Sequence, residues 1–465
     1  MAKRRKRKNY SKHTILALFI IVLILAIGLG IFYFVNPVKF MQVLHNITDL
    51  HSGGTATCTE KAVCEGCGLE YGEPKGHEEL IWQKTATTHK QYYPCCEIII
   101  VAEENHEWLN GRCLECQYRC SHSGEVDCTI CGKLDYKATA KPAENMIIQE
   151  NELSVHYLEL GNANAGDCIL AKYGDTEVLI DAGSATNSIE TISAYIDTYC
   201  TDGILEYVIV THAHEDHIAC FGGSKSSSYR TIFDRYECEI IIDFPRTNST
   251  SQLYQRYLLE REAEVAAGAV RYSALQCYNN QDGAQRVYYL DTNGEVTLNI
   301  LYNYYYENYT SNENNYSVVC MLKDGDNEFL FTGDLEGEGE ELLSSSGQLG
   351  QVDVFKAGHH GSNTATTDAL LAVINPEIIC ITTCMGRAEY TDDIDVIFPG
   401  KRVCDSIKNY TDKIYVTTEY DPETEEGKSF NGNIIIVSTD SGLQVYCTGT
   451  TDTIEASAWY QANRM

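Results

Sequence analysis

From Leu153 to Thr439 the chain lays down eleven short apolar runs: LSVHYLEL, DCILAKYG, EVLIDAG, EYVIVTH, CEIIIDF, EVTLNILY, SVVCML, EFLFTGD, VDVFKAG, EIICITT and NIIIVST. Runs this short suit strands better than helices. Some alternate apolar with polar residues, as a strand with one wet face does, and others are continuous enough to be buried on both faces. Helical spacing falls between them, at Ile189, Ile192 and Ile196 behind a cap at Asn187 or Ser188, and again in EGEELLSS and TTDALLAVI. Strands with helices inserted after them predict an α/β class in which sheets pack together under an outer cover of helices. Nothing recurs at a fixed period, which excludes a repeat array.

At 465 residues the chain exceeds one ordinary domain, and cysteine divides it. Ten of the 20 cysteines fall between Cys58 and Cys131; the other ten are scattered singly to Cys447 and read as buried small hydrophobes. The dense region runs Cys58, Cys64 and Cys67 followed by His77, then Cys113 and Cys116, then Cys120 and His122, then Cys128 and Cys131. CEGCGLEY and CTICGKLDY repeat one another, each a Cys-x2-Cys turn followed by glycine. Two intervening residues let both sulfurs reach one tetrahedral ion, so a structural zinc is expected; a disulfide-stapled module is the alternative. Cys95 and Cys96, being adjacent, fit neither scheme. The segment, residues 36–132, resembles the short cysteine-rich ribbon repeats of exported Gram-positive proteins, which implies a spacer or docking role. Residues 133–150 read as a linker.

The opening MAKRRKRKNYSKH carries seven Lys or Arg and no acid, and residues 14–35 follow without a charge. This pattern predicts a basic cytoplasmic tail, 1–13, and a single transmembrane anchor, 14–35, with everything beyond it outside the cell. A cleaved signal peptide is the competing reading, but no small-residue cleavage site follows. Without the tail, 28 of the 35 basic residues face 66 acidic ones, a formal charge of −38. Such a surface repels polyanions and weighs against broad nucleic-acid binding.

In YVIVTHAHEDH a strand ends at Val210, and His212, His214, Asp216 and His217 follow at once. Alternation lets His212 and His214 face one point while Asp216 and His217, past a turn, face a second point nearby. Imidazoles with a carboxylate suit zinc or manganese, and a catalytic site leaves a coordination position for water.

That motif resembles the metal motif of the metallo-β-lactamase superfamily. VLIDAGS, with Asp181, FLFTGD, with Asp334, and VFKAGHHGS, with His359 and His360, resemble further segments of that fold in the same order. LELGNANAGDCIL, NNYSVVCML and KAGHHGS look more narrowly like the hydrolase domain of the competence protein ComEC and related exported phosphodiesterases, including phosphorylcholine esterases. The resemblance implies a metallo-β-lactamase αββα sandwich over residues 151–450, leaving 451–465 as a tail. It implies two divalent ions, Zn or Mn: one on His212, His214 and Asp334, the other on Asp216, His217, Asp334 and His359. His360 stands beside them, and Asp216, Asp334 and His360 are the implied catalytic groups around a metal-bound hydroxide. His359 is preferred as the ligand because the preceding glycine aligns with the family's turn, although adjacent histidines are not separable by sequence.

Two departures bear on this. No histidine lies between His217 and His359, so the first ion is expected to bind more weakly than the second. None follows His360, where the ComEC-like group carries one near a Gly-His-Pro; here the region reads ITTCMGRAEYTDD. Ser362 is expected either to meet substrate or to cap a helix starting near Thr366, and Tyr302, Tyr304 and Tyr306 to share one face of an extended segment. The leading expectation is a membrane-anchored, extracellular phosphodiesterase acting on a small phosphodiester or other ester, with a cell-surface component as partner. The alternatives are a competence-linked DNA nuclease, an ester or lactone hydrolase, or a surface binding protein acting through its zinc ribbons.

Overall fold

The computed structural model describes residues 23, 27, 31, 33–48, 51–77, 79–85, 87–109, 112–116, 118, 120, 129–131, 140–224, 231–439 and 442–465. The basic tail, most of the apolar stretch 14–35, His122, Cys128 and the first part of the expected linker lie outside these residues. Among the described residues no helix is long and apolar enough to cross a membrane. The chain divides into two compact units, residues 1–124 with 128–133 and residues 125–127 with 134–465.

The first unit holds a helix, Pro37–Thr48, and a three-stranded antiparallel sheet of Ile81–Lys84, Thr88–Tyr93 and Ile98–Asn105. Two short ladders, Ala62–Val63 with Glu70–Tyr71 and Trp108–Leu109 with Arg112–Cys113, complete it. Ile98, Ile99 and Ile100 lie exposed, so its sheet covers no apolar layer.

The second unit is built from β1 (Leu153–Tyr157), β2 (Ile169–Tyr173), β3 (Thr176–Ile180), β4 (Ile204–Val210), β5 (Glu237–Asp243), β6 (Val270–Ser273), β7 (Val287–Tyr289), β8 (Val296–Leu301), β9 (Val319–Asp324), β10 (Asn327–Phe331), β11 (Val354–Lys356), β12 (Ile378–Met385), β13 (Lys413–Asp421), β14 (Glu426–Ser429), β15 (Ile434–Thr439) and β16 (Gly442–Cys447). One sheet runs β6-β5-β4-β3-β2-β1-β15-β16 and ends on Lys141–Pro142; the other runs from β7 to β14 in chain order. Strands β3 to β6 are parallel, as are β10 to β13.

Period-two alternation sorts side chains between layers. In the second sheet Phe329, Phe331, Ile378 and Cys380 join a core shared with Val155, Tyr157, Ile434 and Ile436 of the first sheet. Their neighbours Leu330, Ile379 and Ile381 face the opposite way, onto α4 (Gly337–Ser345), α5 (Asp368–Ile374) and α6 (Lys401–Ile407) through Leu343, Leu370, Leu371, Val403 and Ile407. On the first sheet His156 points out to α1 (Ile189–Tyr199), where its ring meets Tyr195 and Tyr199. The layers are therefore α, β, β, α.

All eleven apolar runs contain strands. Two segments read as linker and tail are folded in. Ala143, Met146 and Ile148 pack on Ile435, Val437 and Tyr446, and Tyr460 enters the outer core while buried Arg464 donates to the carbonyls of Ile394, Ile397 and Pro399. Their polar composition hid a few well-placed apolar and capping side chains.

Candidate active site

Parallel strands put their carboxyl ends on one edge, and that is where loops can converge on a ligand. Asp181 follows β3, His212 and His214 follow β4, Asp334 follows β10, and His359 and His360 follow β11. His214 is the amino-terminal cap of α2 (Glu215–Gly222), which carries Asp216 and His217 in its first turn. The loop after β3 presses against that turn. A Cβ on Gly183 would stand 2.2 Å from the Asp216 carbonyl carbon, so only glycine fits. The backbone N–H groups of Asp167 and Ala182 donate to the carbonyls of Asp216 and His217, each at 3.0 Å.

Asp334 Oδ2 is the point of convergence. It lies 3.1 Å from His217 Nε2, 3.5 Å from His360 Nε2, 3.7 Å from His359 Nε2 and 3.9 Å from His212 Nε2. His214 Nδ1 is 3.0 Å from His212 Nε2, and Asp216 Oδ2 is 3.4 Å from His360 Nε2. Gly333 holds this turn at φ +54°, where a Cβ would approach Ser317 Oγ to 2.9 Å, and that hydroxyl accepts from Asp334 N.

Further carboxylates orient the imidazoles. Asp181, itself at φ +57°, accepts from Thr211 N at 2.8 Å and Thr211 Oγ1 at 2.7 Å, and its Oδ2 is 2.7 Å from His217 Nδ1. Asp167 Oδ1 lies 3.1 Å from His360 Nδ1 and accepts from Thr382 Oγ1; its Oδ2 pairs with the buried Lys356 ammonium at 2.5 Å. Burial by itself would discharge His217, but the Asp334 and Asp181 carboxylates hold its pKa well above the ordinary value. Burial pulls His360 the same way, yet Asp334 and Asp167 raise it to about 9. Burial opposes ionisation of Asp334 too, and His217, His360 and His359 overcome it and keep the carboxyl well below the usual range. Burial dominates at His212 and lowers its pKa well below normal.

This donor set fits a divalent ion. One oxygen or nitrogen from each of Asp216, His217, Asp334 and His360 lies within 4.8 Å of the others. His217 Nε2, both nitrogens of His360 and both oxygens of Asp334 are buried without an aligned hydrogen-bond partner. Buried polar atoms left in that state call for a ligand.

Residues 161–228 and 311–381 match the sequence model of the metallo-beta-lactamase superfamily, and they contain every residue placed around Asp334 above except Thr382. The chain carries a metallo-beta-lactamase superfamily domain.

Among curated proteins, the chain is similar to Recombination protein 2 of Haemophilus influenzae, 38% identical over 74 residues, and to ComE operon protein 3 of Bacillus subtilis, 33% identical over 72 residues. Each match covers 16% of this chain and 9% of the relative, so the chain reproduces a small part of either protein. Among solved structures, the metallo-beta-lactamase fold protein YhfI of Bacillus subtilis superposes at a TM-score of 0.33 with 13% identity, over 60% of this chain and 99% of that one.

Within the metallo-beta-lactamase domain the histidine pair departs from expectation. His360, not His359, joins Asp216 and His217. The backbone separates the two where the aligned glycine did not: His359 and His360 both take left-handed conformations, at φ +48° and +53°, and their rings diverge by 66°. His360 turns inward, fully buried, and His359 stays at the mouth, where its Nδ1 is 2.9 Å from Thr364 Oγ1. His359 Nε2 remains 3.7 Å from the same Asp334 oxygen.

A cavity of about 700 Å³ opens over the site, lined among others by His214, Asp216, His359, Ser362, Arg387, Tyr390 and Phe398. Ser362 faces this cavity and does not cap α5; Thr367 does. Tyr304–Tyr306 form a 3-10 turn instead of an extended segment, and Tyr306 is buried with its hydroxyl on Val319 N, so the shared tyrosine face does not form. Spacing missed Asp167, Lys356 and Tyr390. A lysine inside the apolar run VDVFKAG was the available signal, since a lysine there needs a buried acid.

In the first unit Cys64 and Cys67 group with His45 and His51, apart from Cys58 and His77, which group with Cys95 and Cys96. Cys113 and Cys116 group with His89 and His106. Cys131 is half-buried, and its expected neighbour Cys128 lies outside the described residues. The knuckles were legible, but their histidine partners come from distant turns with no fixed spacing.

Proposed function

We propose that the metallo-beta-lactamase domain hydrolyses a small phosphodiester, on the outer side of a membrane to which residues 14–35 anchor the chain. The observation that carries this reading is the convergence of four imidazole nitrogens on Asp334 Oδ2 beneath a cavity of about 700 Å³. That volume suits a small molecule. A formal charge of −38 beyond the basic tail opposes a long polyanion.

His212, His214 and His359 would hold one divalent ion and Asp216, His217 and His360 the other, with Asp334 shared. The ions would supply Lewis acidity and bring the pKa of a water towards about 7. The chain's own residues do the rest. Asp181 accepts from His217 Nδ1, so the proton sits there and the Nε2 lone pair is turned to the centre, while Asp167 Oδ1 lies 3.1 Å from His360 Nδ1. Phe398, Ile397 and Val396 give the cavity an apolar wall that limits water, and Arg387 is the guanidinium in its lining. Tyr390 comes from the segment where the ComEC-like group carries a histidine. Its hydroxyl lies 3.4 Å from Asp216 Oδ2, placed to hand a proton to the leaving oxygen.

The test is a substrate panel with the full chain: a bis-aryl phosphodiester, a phosphocholine ester, a lactone and single-stranded DNA, each with His214→Ala as control. Turnover of the small phosphodiesters, lost in the variant, is expected. Equal activity of parent and variant, or turnover of DNA alone, overturns the proposal. Protease digestion of intact cells tests the anchor: loss of the metallo-beta-lactamase domain is expected, and protection until the cells are broken refutes it.

A further inference from the structure

We propose that the first unit is a three-zinc module whose fold is held by interleaved metal sites: His45, His51, Cys64 and Cys67; Cys58, His77, Cys95 and Cys96; and His89, His106, Cys113 and Cys116. In each group the four candidate ligand atoms lie within 4.8 Å of one another.

The separations match an ion-centred tetrahedron. With Zn–S near 2.3 Å and Zn–N near 2.0–2.1 Å, a tetrahedron has S···N edges of about 3.6 Å, S···S edges of about 3.8 Å and N···N edges of about 3.3 Å. Four imidazole nitrogens lie at such distances from sulfur: His51 Nδ1 is 3.6 Å from Cys67, His77 Nδ1 is 3.6 Å from Cys95 and 3.4 Å from Cys96, His89 Nδ1 is 3.6 Å from Cys113, and His106 Nδ1 is 3.5 Å from Cys116. His45 Nδ1 is closer, 3.2 Å from Cys64. Cys95 Sγ and Cys96 Sγ stand 3.8 Å apart and His89 Nδ1 and His106 Nδ1 3.1 Å apart. A disulfide needs sulfurs at about 2.05 Å and has no use for an imidazole. Sulfur and nitrogen in tetrahedral array select zinc over the hard cations. The adjacent cysteines that fit neither sequence scheme become two corners of the middle site.

Burial supports the same reading. Every apolar core cluster among the described residues lies in the second unit. In the first, the buried side chains among the described residues are Ala62, the cysteines 58, 64, 67, 113, 116 and 120, and the histidines 45, 89 and 106. A unit whose described residues form no apolar core needs another source of stability, and closed metal sites provide one. The ligand order interlocks the sites. Cys58 of the middle site falls between His51 and Cys64 of the first, and His89 of the third falls between His77 and Cys95 of the middle one, so removing the middle ion loosens both neighbours.

The full chain tests this through zinc released by a mercurial thiol reagent, which reaches thiolate-held ions and leaves the imidazole and carboxylate site of the second unit alone. At least three ions per chain are expected. Cys64→Ser with Cys67→Ser, Cys95→Ser with Cys96→Ser, and Cys113→Ser with Cys116→Ser should each lower the count, the middle pair by the most. Alkylation mapping of the unsubstituted chain needs no variant to fold: the seven cysteines of the three sites should be protected with zinc and reactive after chelation. Fewer than three releasable ions, or disulfides at these cysteines in protein purified without reductant, overturns the proposal. Both results are independent of hydrolysis.

Discussion

The substitution Asp181→Asn exchanges one oxygen for an NH2 group and should disable one side of the metal site. The Asp181 carboxylate faces three groups: Thr211 N at 2.8 Å, Thr211 Oγ1 at 2.7 Å and His217 Nδ1 at 2.7 Å. Two need an acceptor, and the hydroxyl serves either way. If the oxygen of the new amide took the place of Oδ1, its NH2 would meet His217 Nδ1, force the imidazole proton to Nε2 and remove the lone pair aimed at Asp334. If the amide flipped, its NH2 would oppose the Thr211 N–H donor in a fully buried place. Loss of such an orienting partner lowers metal affinity by about 10–100-fold, or about 1.4–2.7 kcal/mol. Manganese suits this measurement, because carboxylate and imidazole hold it better than thiolate does. Electron paramagnetic resonance titration of the full chain should show one class of manganese weakened by that factor in Asp181→Asn, with unchanged far-UV circular dichroism. Parent-like affinity for both ions would refute the tautomer argument.

Tyr390→Phe should slow hydrolysis of esters with poor leaving groups by about 100-fold or more and barely affect an aryl phosphodiester, whose leaving oxygen needs no proton; equal slowing of both contradicts the role. Gly183→Ala should lower stability by about 1–3 kcal/mol or more, because the Cβ meets backbone and not a movable side chain; an unchanged melting temperature with intact manganese binding refutes the close-packing argument. His156 is buried, and burial followed by the Lys172 charge lowers its pKa to about 3. The unfolded chain therefore takes this proton below about pH 6.5 while the folded chain does not, so its contribution is intact above that pH and is lost at about 1.4 kcal/mol per pH unit down to about pH 3. In denaturant titrations between pH 7 and pH 5, His156→Gln should show a shallower loss of stability than the parent, and equal slopes refute the assignment.

The strand runs and the His-x-His-x-Asp-His spacing were legible because burial and metal ligation impose local patterns. A strand shows its two faces every second residue, and a loop leaving a strand places ligands within a few positions of its end. The Cys-x2-Cys knuckles were legible for the same reason, since both sulfurs come from one turn. The choice between His359 and His360 was not, because adjacent histidines offer the same side chain and the two left-handed residues in succession decide which ring turns inward. Asp167, 193 residues from His360, meets it only because β2 and β11 belong to sheets stacked on one another. Likewise the histidines that complete the cysteine groups come from separate turns whose separations no local rule sets.

The sequence by itself therefore determined the kinds of atoms available: imidazoles and carboxylates at strand ends, thiolates in knuckles, and apolar runs for two sheets. Tertiary structure decided which of them share a point in space, since that depends on sheet stacking and on the left-handed turn at His359 and His360. Ligation and proton placement act over about 3 Å, a distance that packing sets and residue order does not.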